Sequence, residues 1–116
     1  MKRLHLAIGV KNIGDSINDY QKRLNTKPVV TIKDEYALFR TSSLNLSIRK
    51  VEEQKLGLRH LGWEGEMYSG FTEEVDSNGF TWEHFRKEDQ IKEILDVWPY
   101  AQSNNAYLQS RNDTSD

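Results

Sequence analysis

Three side chains able to hold a divalent cation lie in short segments that alternate like strands. They are His5 in Leu4-His5-Leu6-Ala7-Ile8-Gly9-Val10, His60 in Gly57-Leu58-Arg59-His60-Leu61-Gly62-Trp63-Glu64, and Glu83 in Thr81-Trp82-Glu83-His84-Phe85. Two imidazoles and one carboxylate make a sufficient first shell for a divalent metal with open positions. On a strand, successive side chains point to opposite faces. Leu4, Leu6, Ile8 and Val10 then form an apolar face, and His5, Ala7 and Gly9 the other. Likewise Leu61 and Trp63 oppose Leu58, His60 and Gly62, and His84 opposes Glu83. His5 is flanked on its face by Ala7 and Gly9, and His60 by Gly62 on one side, which leaves space over the sheet. The ordinary alternative is three unrelated polar residues on a half-exposed sheet. That alternative is the better account of any one histidine alone, and a weaker one for three donors of matching parity.

The elements that must position these donors are legible by periodicity. A strand over 4–10 leads into a helix capped by Asn12, with Ile13, Ile17, Tyr20 and Leu24 at helical spacing. Asn25 suits the left-handed residue that ends a helix, and Pro28 prevents continuation. Strands are expected over 28–32, 36–40 and 44–51, then a charged linker, then a strand over 57–65. Asp76-Ser77-Asn78-Gly79 is a turn, followed by a strand over 80–86. A second helix over 88–98 carries Ile91, Ile94, Leu95 and Trp98 on one face, and Pro99 ends it. Residues 100–116 are polar and are expected to be a disordered tail.

With 116 residues the chain suits a single domain, here 1–99. A net charge of -2 argues against a nucleic-acid surface. Cysteine is absent, so disulfides, thiolate metal sites and cysteine nucleophiles are excluded. There is no long apolar run and no signal-peptide pattern, so no membrane partner is expected and the cytoplasm is the default compartment.

Three pieces in order resemble the vicinal oxygen chelate superfamily of glyoxalase I, bleomycin-resistance proteins and extradiol dioxygenases. The first runs from Leu4-His5-Leu6 into Ser16-Ile17-Asn18-Asp19-Tyr20, similar to the family's histidine strand and following helix. The second is Gly57-Leu58-Arg59-His60-Leu61-Gly62, which looks like the start of a second module. The third, Val75-Asp76-Ser77-Asn78-Gly79-Phe80-Thr81-Trp82-Glu83, is similar to the family's Asp-x-x-Gly-x-x-x-Glu close. The resemblance implies an α+β fold: a complete βαβββ module over 3–51 and a truncated second module over 57–86, forming a curved mixed sheet, with a C-terminal helix. The chain between 58 and 86 is too short for a second helix and three more strands. The second module is therefore expected to lack its helix and two strands, with helix 88–98 covering Leu61 and Trp63 instead.

By residue matching, the resemblance implies His5, His60 and Glu83 as ligands of Fe, Mn, Ni or Zn. The metal would hold vicinal oxygens of a small-molecule ligand. Asn45, Arg49 and Phe85 are expected to touch that ligand. Arg49 suits an anionic group, against the ordinary reading of an exposed strand-end charge. Glu64 shares the parity of His60. Trp63, Trp82 and Trp98 read as core anchors. No catalytic base stands out. Three functions stay open: a metal-dependent lyase or dioxygenase, a metal-free binding protein of the bleomycin-resistance kind, and a dimeric interaction module. A homodimer is expected in each case.

Overall fold

Two long strands, β1 (Lys2–Val10) and β5 (Gly57–Gly65), make the centre of the sheet. They run antiparallel, with His5 opposite Gly62 and Ala7 opposite His60. The computed structural model describes residues 1–109. Its other elements are α1 (Ile13–Leu24), β2 (Val30–Ile32), β3 (Tyr36–Arg40), β4 (Leu44–Lys50), β6 (Thr72–Val75), β7 (Thr81–Phe85) and α2 (Lys87–Val97). The seven strands form one sheet in the order β2-β3-β4-β1-β5-β7-β6. Strand β4 is parallel to β1, and β7 is parallel to β5. The fold is α+β, a βαβββ module joined edge to edge with a smaller one across the β1–β5 pair.

The second module holds three strands, so it lacks one strand and the helix rather than two strands and the helix. The strand that periodicity missed is β6. Its residues Thr72-Glu73-Glu74-Val75 are all exposed at the sheet edge, so there is no buried face to impose alternation. The two glutamates suit that edge, because charge discourages pairing with another chain.

Helix α1 forms as its sequence dictates. The Asn12 side chain accepts from the Asp15 N–H at 2.9 Å, and Asn25 adopts the left-handed conformation at φ 51°. Ile13, Ile17, Tyr20 and Leu24 pack on Ala37, Phe39, Leu46 and Ile48. Helix α2 is capped by the Asp89 carboxylate, which accepts from the Arg86 N–H at 2.9 Å. Its buried residues Ile91 and Ile94, with Trp98, pack on Val30, Ile32, Tyr36 and Leu38. Those belong to the first module and to the opposite face of the sheet from α1. Burial of each such side chain contributes about 1.5–3 kcal/mol.

This placement corrects the expectation that α2 covers Leu61 and Trp63. Those residues share a face with Leu6 and Leu4 through the β1–β5 register and remain half-buried. The face of His5, expected to be open, is the better covered one: His5 and Ala7 are buried, while Leu4, Leu6 and Ile8 are half-buried. The cause is reach. Helix α1 spans only the β3–β4 part of its face, whereas α2 and the following chain return over the other. Trp98 alone of the three tryptophans is a core anchor; Trp63 lies under the Lys2 ammonium, and Trp82 donates to Asp76 at 2.9 Å.

Residues 100–109 also depart from expectation. They form two 3-10 turns, Pro99–Ser103 and Ala106–Gln109, and bury Ala101 and Leu108 in the α2 core. The Asn105 side chain accepts from the Thr31 N–H at 2.9 Å, tying this segment to the outer strand β2. Residues 110–116 of the expected tail lie outside the described residues. No helix among the described residues is long and apolar enough to cross a membrane.

Candidate metal centre

His5, His60 and Glu83 come from three adjacent strands, β1, β5 and β7. His5 and Glu83 both lie level with Gly62 on the strand between them. Strands are spaced about 4.8 Å apart, so two side chains separated by a whole strand meet only if nothing rises between them. Gly62 supplies that gap. A Cβ there would collide with the Glu83 backbone carbonyl, so the glycine also permits the close approach of β5 and β7 at this level. His60 enters from two residues along β5.

The donor atoms converge. The Nε2 atoms of His5 and His60 are 3.1 Å apart, and His60 Nε2 lies 3.0 Å from Glu83 Oε1. His5 Nε2 is 4.0 Å from the same oxygen. Two donors at right angles around an ion, each about 2.1 Å from it, are about 3.0 Å apart. Two of the three separations match that figure. The third, at 4.0 Å, is wider than a right angle allows, and Glu83 must close on His5 by about 1 Å to reach it.

The tautomer of His5 is set by the residues behind it. Asn45 Oδ1 lies 2.8 Å from His5 Nδ1, and Asn45 Nδ2 donates to Glu64 Oε1 and Gln90 Oε1, each at 2.8 Å. Glu64 accepts from Arg40 at 2.9 and 2.7 Å and from Arg3 at 3.0 Å. An ionised carboxylate only accepts, so the Asn45 amide must turn its NH2 toward Glu64 and its oxygen toward His5. His5 Nδ1 is thereby the protonated nitrogen, and Nε2 presents its lone pair to His60 and Glu83. This is the outer-shell arrangement that orients a metal-binding imidazole.

The titration properties agree with this geometry. Burial holds the His5 imidazole below its usual pKa of 6.5, with His60 acting in the same direction and the Asn45 hydrogen bond opposing. Burial alone would raise the Glu64 carboxyl, but the bonds from Arg40 and Asn45 and the charges of Arg40 and Arg3 outweigh it and hold Glu64 below the carboxylate range. His5 is therefore neutral and Glu64 ionised near neutral pH.

A cavity of about 180 Å3 opens beside the three donors. Tyr36, Ser47, Arg49 and Trp98 line it, together with the solvent-exposed Arg59 and Glu93. The Arg49 guanidinium lies over the Trp98 ring, 5.1 Å from its centroid. Loss of hydration, then the Glu83 charge, pushes the Glu93 carboxyl up; His60, Arg49 and Arg59 pull the other way.

Of the residues expected to touch a ligand, Arg49 and Phe85 line this cavity, and the Phe85 ring meets His5 edge-on at 4.9 Å between centroids. Asn45 does not line it. The side chain is fully buried and fully engaged with His5, Glu64 and Gln90, so its role is positioning. The sequence reading missed Gln90, because a polar residue at the first turn of an amphipathic helix looks solvent-facing. It also missed Arg59. Periodicity puts Arg59 opposite His60, but the register shifts between Ala7 and Ile8, so that His60 pairs with Ala7 and Leu58 with Ile8. Arg59 is the extra residue of this bulge, and it joins His60 in lining the cavity. The same shift moves Leu58 off the face of His60.

The sequence matches no known family model and no curated protein. Similar folds occur among solved structures. A chain described as an NAD-dependent benzaldehyde dehydrogenase from Legionella pneumophila has a TM-score of 0.50 and 18% identity over 72% of this chain and 97% of its own. A hypothetical protein from Staphylococcus aureus has a TM-score of 0.53 and 11% identity over 73% of this chain, which spans 33% of that longer one. At these identities what is shared is the fold.

Proposed function

We propose that the chain binds one divalent metal ion through His5, His60 and Glu83 and presents it to a small oxygen-chelating ligand in the adjoining cavity, in the manner of the vicinal oxygen chelate proteins. The reading rests on the opposed Nε2 atoms of His5 and His60. Two imidazole nitrogens at 3.1 Å cannot both keep bare lone pairs there without a shared proton or cation. In the metal-free protein a single hydrogen on His60 Nε2, directed to Glu83 and His5, satisfies the cluster. An ion replaces that hydrogen if His60 moves its proton to Nδ1, which has no hydrogen bond among the described residues. His5 needs no such change. The site fits Fe(II), Mn, Ni or Zn by its ligand types.

When bound, the ion supplies Lewis acidity to a chelated oxygen or water. The chain's own residues do the rest. His5 stays neutral and fixed in direction by Asn45. Phe85 and Trp98 give the cavity apolar walls. Glu93, whose carboxyl is raised above its usual pKa, lines the cavity and is a carboxylate placed to accept or return a proton.

The test is metal content by elemental analysis of purified protein beside His60→Ala. About one metal per chain in the wild type, lost in the variant, supports the reading. No uptake in wild type after incubation with Fe(II), Mn(II), Ni(II) and Zn(II) overturns it and leaves a metal-free binding cavity.

A further inference from the structure

We infer that the cavity beside the triad is an oxyanion subsite in which Arg49 and Arg59 together hold a carboxylate or phosphate carried by the chelating ligand. The inference deepens the metal reading and rests on it for the second half of the ligand. Three observations carry it. Arg49 and Arg59 line the same cavity as His5, His60 and Glu83 although they come from different strands of the sheet. Neither guanidinium has a carboxylate within 4.0 Å among the described residues. Each is also placed there by a specific structural device.

Arg49 lies across the Trp98 ring, and Trp98 is buried against Tyr36. A guanidinium stacked on a fixed ring loses few further degrees of freedom when it binds an anion, and keeps its N–H edge available for two parallel hydrogen bonds. Arg59 is the extra residue of the β5 bulge. Plain alternation would send it to the opposite face from His60. The bulge brings both to the cavity, and re-aiming a side chain beside a site is a recognised use of such bulges.

Charge points the same way. With a divalent ion in place, the charged groups lining this cavity are two guanidiniums and the ion against the carboxylates of Glu83 and Glu93, so the cavity is positive and favours an anionic ligand. The hydroxyls of Tyr36 and Ser47 add neutral hydrogen-bonding groups to the wall. At about 180 Å3 the space is below the roughly 300–1,000 Å3 of drug-sized pockets. The fitting ligand is a small metabolite with adjacent carbonyl and hydroxyl oxygens at one end and an anionic group at the other.

Hydroxyacetone, hydroxypyruvate and dihydroxyacetone phosphate test this, because they share the hydroxy-keto pair and differ in carrying no anion, a carboxylate or a phosphate. Each is titrated calorimetrically into metal-loaded wild type and into an Arg49→Gln/Arg59→Gln double variant. Metal affinity and Tm of both proteins are measured first. The expected result is unchanged metal affinity, with at least one anionic ligand binding the wild type about 10-fold or more tighter than hydroxyacetone, and that preference lost in the variant. Which anionic ligand binds tighter tells carboxylate from phosphate. Equal affinity for all three ligands in metal-loaded wild type overturns the oxyanion subsite and leaves the metal reading intact. If the double variant unfolds, Arg49→Lys and Arg59→Lys singly take its place, keeping charge while losing the two-pronged bond. If wild type takes up no metal, metal-free protein is titrated with inorganic phosphate. Binding abolished by the double variant keeps the oxyanion site while the metal reading falls; no binding overturns both.

Discussion

Asn45 shows how much one buried side chain can decide. Its oxygen fixes the proton on His5 Nδ1, and its NH2 joins Glu64 to Gln90. In Asn45→Leu the shape is nearly kept and every one of those bonds is lost. Metal affinity should fall by about 10–100-fold, as for other outer-shell groups, read by competition with a chelator. Stability should fall by about 1–3 kcal/mol in urea unfolding, because a carboxylate and an amide lose buried partners. Unchanged metal affinity would mean that the Asn45 backbone carbonyl, 3.2 Å from His5 Nδ1 and kept in the variant, is enough to orient the ring. The pH response follows from His5 and Glu64. The folded pKa of His5 is depressed below its unfolded value of 6.5, so the unfolded chain takes up the proton first and stability drops as pH falls through 6.5. Glu64 stabilises above the unfolded carboxyl value of 4.5 and that contribution is lost as pH falls through its lower folded pKa. Glu93, raised in the fold, acts in the opposite direction and at higher pH: the folded chain takes up that proton first, so its contribution favours folding as pH falls from the raised pKa toward 4.5. The His5 share is isolated by difference: in chelator-treated protein, wild type should lose stability relative to His5→Gln from about pH 7 to pH 5. Parallel curves would show His5 titrating as it does in the unfolded chain.

At the scale of elements, the meeting of β5 with β7 at Gly62 and Glu83 is the joint on which the site depends. Gly62→Ala places a methyl group against the Glu83 carbonyl. Backbone carbonyls cannot swing away as a side chain can, so the two strands must separate where Glu83 reaches toward His60. We expect a loss of about 1–3 kcal/mol in stability, the usual cost of overpacking, and weaker metal binding with it. Stability loss without weaker binding would place the strain elsewhere along β7. The sequence marked this glycine, but for a different reason: it looked like open space above a ligand-bearing face, whereas it serves close strand contact as well. Helix α2 was also legible as an amphipathic helix. Its periodicity names the buried stripe of Ile91, Ile94 and Trp98 correctly and is silent on which sheet face receives it.

Across the whole molecule, the three proposed ligands are separated by long stretches of chain and assembled by a single sheet. An ion that binds only the assembled set stabilises the fold by mass action, about 2.7 kcal/mol at a free concentration 100 times Kd. Thermal unfolding of metal-loaded protein should therefore shift upward, return to the apo value on adding a chelator, and show no such shift in His60→Ala. A shift of equal size in His60→Ala would put the ion elsewhere. The same assembly leaves Leu61, Trp63 and Trp82 half-covered on the face away from the site, because α1 has no counterpart in the second module.

The sequence by itself determined the first module, α1 with both its caps, the strand bearing His60, the turn before β7, and the side of its own strand on which each of His5, His60 and Glu83 lies. Each of these is a local matter of side-chain period, capping chemistry and turn residues, all of which act over a few neighbours. Only the tertiary structure decided what those elements meet. A strand at the sheet edge with no buried face has no period to read, so β6 was invisible. A one-residue bulge depends on the partner strand, so the place of Arg59 beside His60 was not legible. The destination of α2, the burial of residues 100–109 and the Asn45–Glu64–Gln90 network all join residues far apart in the chain, where a polar side chain is read as solvated until its buried partner is known.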